Sequence, residues 1–454
     1  MRAGEVGELA LRAARGEVRM KPFRRRNLRP FPFVAAQGRT IETRKGAGVF
    51  QLNAANQGDV IRMDPTEAPH FGAPGRQGFH LIDTTMMYAP RSGGVKRYLN
   101  AKRDWLARRR PDLRHTLVVP GRATALDGAG VVTVAAARLP FGDGYRMPAS
   151  AAKWETVLRM LEPDIIEAGD IFVPGHAALD TGEALGVPVV GFCHTDAAAL
   201  AALHFGDWAE APAMKRWAEA YRRFDQVIAP SRHMAARLHE AGVEKVTVQR
   251  LGVDTELFHP LRADRARLRR RLKLPADARI LVFAGRPARE KNIDSIVCAV
   301  ERLGEPYHLL LVGAGKDVKV SPRVISLDYE RDPIALASLI ASCDACVHAN
   351  ENEPFGLVVL EALAAGLPVV GPSKGGVAEL IDEEVGQNAA AVDPAGLAEA
   401  IEALFARDLA AIGQAARRRA EQRHGWDTTF EGLTRIYGEL VAGGPGVQPL
   451  ALQA

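Results

Sequence analysis

Cysteine is scarce in this 454-residue chain, with four residues at positions 193, 298, 343 and 346. So few and so scattered, they exclude a disulfide framework. Cys343 and Cys346 stand at CxxC spacing in "SCDACVHA". No second CxxC or HxxxH follows to complete a metal site, and Cys346 opens an apolar run that reads as a buried strand. Long apolar runs are missing too, and no segment reaches the ~20 residues a membrane span needs. The N-terminus lacks the apolar stretch of a signal peptide, so the expected location is cytoplasmic. Neither sign of charge dominates. A formal charge of +5 tolerates anionic lipid or phosphorylated ligands without demanding either, and no nucleic acid is expected as a partner.

What is present is an ordinary soluble composition, 47% hydrophobic and 25% charged. The length suits two domains of roughly 150–200 residues each. Residues 1–78 differ from the rest. "RAARGEVRMKPFRRRNLRPFPF" is strongly basic and weakly periodic, which reads as a largely disordered extension. From "FHLIDT" onward, short apolar runs alternate with helical patterns: "HTLVVPG", "VVTVAAA", "DIIEAG", "PVVGFCH", "QVIAPS", "VTVQRL". An Arg-rich stretch intervenes, and the rhythm restarts with "RILVFAG", "HLLLVG", "RVISLD", "ACVHA", "PVVG" and "AAAVD". Strand–helix alternation implies parallel sheets covered on both faces. The expected fold is therefore α/β, two Rossmann-like doubly wound domains at 79–255 and 278–425 joined by a linker at 256–277. Ligands bind at the carboxyl ends of such strands, so the site belongs in the cleft between the domains.

Several motifs fall at those strand ends. Arg286 and Lys291 in "GRPAREKN" follow the strand "RILVFAG". Two fixed cations there suit a diphosphate whose charge grows as it leaves, although a solvated basic loop would read the same way. "HLLLVGAGK" offers Gly313 and Gly315, but Val318 stands where a dinucleotide fingerprint needs its third glycine. A nicotinamide or flavin enzyme is thereby disfavoured. In "ENEPFGLVVLEALAAG", Pro354 favours a turn and Gly356 permits close backbone approach, with a helix beginning about there. Its first N–H groups form a ready anion site. Glu353 and Glu361 would lie ~12 Å apart on a continuous helix, a poor fit to the ~5–9.5 Å of a paired-carboxylate glycosidase. Two separate hydroxyl acceptors along one extended ligand fit better. In the first domain, Gly93 and Gly94 of "SGGV" allow a backbone amide to approach a ligand. "PVVGFCHTD" brings His194, Thr195 and Asp196 to a strand end.

Taken in order, "SGGV", "HTD", "LGVDTELFHP", "GRPAREKN", the E-x7-E segment and "GLPVVGPSKGGVAELI" resemble the retaining GT-B glycosyltransferases of family 4, over about residues 79–442. "WDTTFEGLTRIYGEL" is similar to that family's helix crossing back onto the first domain, expected at 426–442 before a flexible tail at 443–454. The resemblance implies that Gly94, with Gly93, sets an amide at the donor phosphate. It implies that Arg286 and Lys291 stabilise the departing nucleoside diphosphate. Glu353 would bind the donor sugar's hydroxyls beside the amides of Phe355, Gly356 and Leu357, Glu361 would hold the ribose, and His194 would lie near the reacting centre. No metal or other cofactor is implied, only a UDP- or GDP-sugar as donor substrate.

The acceptor is less sharply indicated. In "KRYLNAKRDWLARRR", Val95, Leu99 and Leu106 form an apolar stripe with Tyr98 and Trp105 beside it, flanked by Lys96, Arg97, Lys102, Arg103 and Arg108 to Arg110. A basic amphipathic helix over 95–110 can lie on an anionic membrane, or pack on the first sheet with its basic face solvated. The "HTD" form resembles lipid-glycosylating members of the family, such as phosphatidylinositol mannosyltransferases and glucosyl- or sulfoquinovosyl-diacylglycerol synthases. The favoured expectation is an α-hexosyltransferase acting on a glycolipid precursor, cytoplasmic and peripheral at the inner membrane face. The alternatives are transfer to a soluble or polyprenyl-linked saccharide and a catalytically silent sugar-nucleotide binding protein.

Overall fold

The computed structural model describes residues 78–443, apart from 91, 140–143 and 316–317. The expected extension, save Gly78, and the tail from 444 lie outside the described residues. Two sheets organise the rest. The first is built from β1 (His80–Thr84), β2 (Arg114–Gly121), β3 (Ala125–Leu126), β4 (Val131–Ala135), β7 (Ile165–Ala168), β8 (Val189–Phe192), β9 (Gln226–Ala229) and β10 (Val246–Val248). A small hairpin of β5 (Ala137–Arg138) and β6 (Arg146–Met147) stands beside it. The strand order is β10-β9-β8-β7-β1-β2-β4-β3, parallel except at β3. The second sheet comprises β11 (Arg279–Ala284), β12 (Tyr307–Val312), β13 (Val318–Lys319), β14 (Val324–Leu327), β15 (Ala345–Val347), β16 (Val369–Pro372) and β17 (Gly386–Ala389). Its order is β13-β14-β12-β11-β15-β16-β17, again parallel except at β13.

The physical reason is legible in the strands. All residues of β1, β7, β8, β12, β14 and β16 are buried, as expected of strands covered by helices on both faces. In each sheet the chain leaves its first strand in one direction and later returns on the other side. The switch points therefore lie between β1 and β7 and between β11 and β15. Crevices at the carboxyl ends of those pairs are where such sheets take ligands.

Three expectations change. Among the described residues the last strand is Gly386–Ala389, so "AAAVD" contributes only its first alanine. Asp393 caps the next helix by accepting from the amides of Ala395 and Gly396, which draws the chain away from the sheet. The stretch read as a linker holds the helix Arg265–Leu272, which belongs to the second domain. Its Leu268 is buried, Arg265 and Arg269 reach Asp344 at 3.1 and 2.8 Å, and Asp344 also accepts from the Ile280 amide. The helix Gly94–Arg109 buries Tyr98, Leu99, Trp105 and Leu106, so the stripe offered as membrane-facing is core. Lys102, read as part of a solvated basic flank, is 1% exposed. Its ammonium lies 2.7 Å from Asp83 and 3.1 Å from Glu167, and donates to Tyr437 at 2.9 Å. Of the cations on this helix, Arg108 and Arg109 alone are exposed, while Lys96, Arg97 and Arg103 are half-buried.

The helix Trp426–Gly443 covers this buried cluster. Tyr437 donates to Glu167, and Asp427 accepts from the Trp105 indole at 2.6 Å. Trp426 and Phe430 stack on each other and tilt against Tyr98. The last described helix thus packs on the first domain.

Candidate functional site

A cavity of about 740 Å³ opens between the carboxyl ends of the two sheets. From the first domain it is lined by Gly93 and Gly94 after β1 and by His194 to Asp196 after β8. From the second come Gly285, Arg286 and Arg289 to Lys291 in the loop after β11, and 348–358 after β15. The loops flanking the β11/β15 switch point thus supply most of the polar groups on that side.

Two helix N-termini meet here. The helix Gly94–Arg109 starts at Gly93 and the helix Leu357–Ala364 at Gly356, and neither has a side-chain cap. They are so close that a Cβ on Gly94 would sit 3.2 Å from Leu357 Cδ1. Uncapped N–H groups and the positive ends of two helix dipoles favour an anion between them. Gly356 adopts φ +103, where a side chain is strained, and a Cβ there would be 2.7 Å from Val377.

Glu353 anchors the second-domain side. Lys291 Nζ lies 2.5 Å from its Oε2, Asn350 Nδ2 donates to the same oxygen at 2.7 Å, and His348 Nε2 is 3.8 Å away. Burial opposes ionisation, but Lys291, His348 and Asn350 outweigh it and hold the carboxyl at about 2. Glu353 is therefore a carboxylate at any ordinary pH, able to accept from hydroxyls and unable to act as a proton donor. The turn "SKGG" shapes its loop. Gly376 donates its amide to Glu353 O at 2.9 Å, and a Cβ on Gly375 would collide with Glu351 O. Ser231 of the first domain donates to Pro354 O at 2.7 Å, tying the loop across the cleft.

His194 faces the cavity from the other side, its ring stacked 4.0 Å from Phe192. Burial and the nearby Lys102 charge, against the opposite pull of Asp83, lower its pKa to about 3. The imidazole is neutral, and its Nε2 is enclosed without a hydrogen-bond partner among the described residues. Arg286 lines the cavity while donating to Glu290 at 2.8 Å, so one guanidinium nitrogen is engaged within its own loop.

Of the residues singled out from sequence, Gly93, Gly94, His194, Arg286, Lys291, Glu353, Phe355, Gly356 and Leu357 all line the cavity. Glu361 does not. It lies 3% exposed behind Arg97, whose guanidinium pairs with its carboxylate. Burial raises the Glu361 pKa, with Arg97 pulling against it. Sequence reasoning missed Arg97, His348 and Asn350. The last two carried a signal, polar residues at the very end of the buried run "ACVHAN".

Two family descriptions match the chain, Glycosyltransferase Family 4 over residues 92–257 and Glycosyl transferases group 1 over residues 278–407. A GDP-mannose-dependent alpha-mannosyltransferase of Corynebacterium glutamicum is 30% identical over 268 residues, 57% of this chain and 62% of that protein. The chain thus spans about three fifths of that relative's length. A GDP-mannose-dependent alpha-(1-6)-phosphatidylinositol dimannoside mannosyltransferase of Mycobacterium tuberculosis is 30% identical over 368 residues, 75% of this chain and 91% of that protein. Among solved structures, a sucrose-phosphate synthase of Thermosynechococcus elongatus superposes with a TM-score of 0.68 at 20% identity, over 81% of this chain and all of that one, which speaks to the fold. With two Rossmann-like domains of the GT-B kind and a mannosyltransferase relative covered almost end to end, the chain belongs to glycosyltransferase family 4.

Proposed function

We propose that the protein transfers a hexosyl group, mannosyl foremost, from a nucleoside-diphosphate sugar to an acceptor hydroxyl with retention of configuration. The observation that carries this reading is the Lys291–Glu353 pair in a cavity where two uncapped helix N-termini converge. Fixed cations and helix ends suit a diphosphate, and an ionised carboxylate beside them suits sugar hydroxyls. The relatives' dependence on GDP-mannose favours that donor over UDP-sugars.

In the proposed step the C1–O bond to the β-phosphate breaks and the nucleoside diphosphate leaves with the electron pair. Arg286, Lys291 and the Gly94 and Gly356 helix starts take up the charge that develops, so the residues present supply neutralisation without calling on a metal ion. The acceptor oxygen bonds to C1 on the same face, and its proton passes to the departing phosphate oxygen. No side-chain nucleophile is needed. Glu353 accepts from hydroxyls of the transferred sugar, and neutral His194 offers a hydrogen bond near C1 without exchanging a proton with bulk water.

The favoured acceptor is a glycolipid precursor, on the strength of the phosphatidylinositol dimannoside relative. Incubating the protein with labelled GDP-mannose or UDP-glucose and a total lipid extract, then separating products by thin-layer chromatography, tests donor and acceptor together. Label from GDP-mannose in a chloroform-soluble product is expected. Transfer only to water-soluble saccharides would overturn the acceptor, and transfer from UDP-glucose alone would overturn the donor.

A further inference from the structure

Arg97 stands in the first turn of the Gly94–Arg109 helix, lines the cavity, and pairs through Nη1 with Oε1 of Glu361 on the opposite domain. The other oxygen, Oε2, is buried and has no hydrogen-bond partner among the described residues. An unpaired carboxylate oxygen in such a place is costly and calls for an explanation. Glu361 stands one turn after Leu357 and Val358, which line the cavity, and a ligand hydroxyl that reaches past them would supply that partner. Among the described residues, the groups acting on Glu361 or acted on by it are Arg97 and the Cys346 thiol. The thiol is pushed up to about 12 by burial, then by Glu361, and stays uncharged, so Arg97 is the cation that balances this carboxylate among the described residues.

We infer that Arg97 is a positioning residue for the donor: it holds Glu361 as an oriented carboxylate through Oε1, leaving Oε2 to accept from the vicinal hydroxyls of the nucleotide ribose. This rests on the nucleotide-sugar reading above. The consequence is structural as well as chemical. Glu361 belongs to the second domain and Arg97 to the first, so the nucleotide grip is complete only when the domains are together. Donor affinity and domain closure then become coupled, because one of the ion pairs across the cleft also prepares the ribose acceptor.

The chemistry makes a signed pH prediction. The ionised carboxylate is the strong hydrogen-bond acceptor. Without Arg97, burial acts unopposed and the pKa of Glu361 climbs, so the accepting form is lost at higher pH as the pH falls. Arg97→Ala and Arg97→Lys are compared with wild type by calorimetric titration of GDP and UDP and of their 2′,3′-dideoxy counterparts, from about pH 5.5 to 8. Circular dichroism verifies folding. For the nucleotide that binds, Arg97→Ala is expected to weaken the ribose form about tenfold near pH 6 and to recover as pH rises. Arg97→Lys is expected to stay near wild type. The dideoxy form is expected to bind all three proteins alike.

The outcomes separate the two layers. If the wild-type protein binds ribose and dideoxy forms equally, the reading of Glu361 as a ribose acceptor fails, and the role of Arg97 with it. If wild type discriminates and Arg97→Ala discriminates just as well at every pH, the ribose reading stands and the inference about Arg97 is overturned. Tighter ribonucleotide binding by Arg97→Ala also overturns it, making Arg97 a competitor for Glu361.

Discussion

Replacing Lys291 with methionine removes a charge while keeping most of the side chain's bulk, and the structure sets the scale of two effects. The first is on folding stability. Lys291 lies 2.5 Å from Glu353, and both side chains are less than a fifth exposed. The gap between the carboxyl's ordinary 4.5 and about 2 corresponds to roughly 3 kcal/mol of native-state stabilisation at neutral pH. Because the folded pKa is the depressed one, this contribution is full above pH 4.5 and is lost as pH falls toward 2. In Lys291→Met only His348 and Asn350 oppose burial, so most of it disappears at pH 7. The second effect is on nucleotide binding. A charge-assisted hydrogen bond to a phosphate is worth about 1.5–3 kcal/mol, or roughly 10- to 100-fold in Kd. Nucleoside diphosphate at a hundred times the wild-type Kd stabilises the wild-type protein by about 2.7 kcal/mol. At the same concentration the variant gains about 0.4–1.4 kcal/mol. Urea unfolding at pH 7 with and without GDP and UDP measures both quantities. A variant that unfolds with the wild type and gains as much from nucleotide would refute the assignment of Lys291 to the diphosphate.

Further perturbations have distinct signatures. Glu361→Gln is expected to raise the donor KM about tenfold with little change in kcat, while Glu353→Gln is expected to lower kcat about a hundredfold; steady-state kinetics separates them. Lys102→Met leaves Asp83 with His115 and Glu167 with the hydroxyls of Tyr98 and Tyr437 but removes the buried cation the two carboxylates share, and is expected to cost about 3–5 kcal/mol, read from the urea midpoint. His194 is neutral down to about pH 3, so the pH profile of kcat/KM should show no limb near 6.5 that vanishes in His194→Asn. Stability should also fall from pH 6.5 toward 3, where the unfolded imidazole binds a proton and the folded one does not; His194→Asn should flatten that decline.

The strands were the most legible part of the sequence. A strand buried on both faces must be a continuous apolar run, and "HLLLV", "PVVG" and "QVIA" say so without context. The loops after those runs then pointed to the cavity, which is why Gly94, Arg286, Lys291 and Glu353 could be named together. Pairings between distant segments were not legible. Lys102 reads as a solvated cation on an amphipathic helix because its counter-charges, Asp83 and Glu167, sit on strands far away in the chain. The trace was there, in single acids inside the apolar runs "HLIDT" and "DIIEA", since a buried acid requires a partner. Arg97 left no such trace. Its carboxylate lies 264 residues on and in the other domain, and only the closed cleft brings them together. The Arg265–Leu272 helix reads as linker for a similar reason, being apolar only along Leu268 and Leu272 and fastened by Asp344.

The measurement that bears most directly on the central claim is the anomeric configuration of the product. Nucleotide-linked mannose and glucose donors carry an α-linked sugar, and the proposed step transfers it from one face without a protein nucleophile. Proton and carbon NMR of the product formed from GDP-mannose, supplied in excess EDTA, reads the new linkage through its one-bond C1–H1 coupling. An α-linked product is what this account predicts. A β-linked product, or no transfer from any nucleotide sugar, would contradict it.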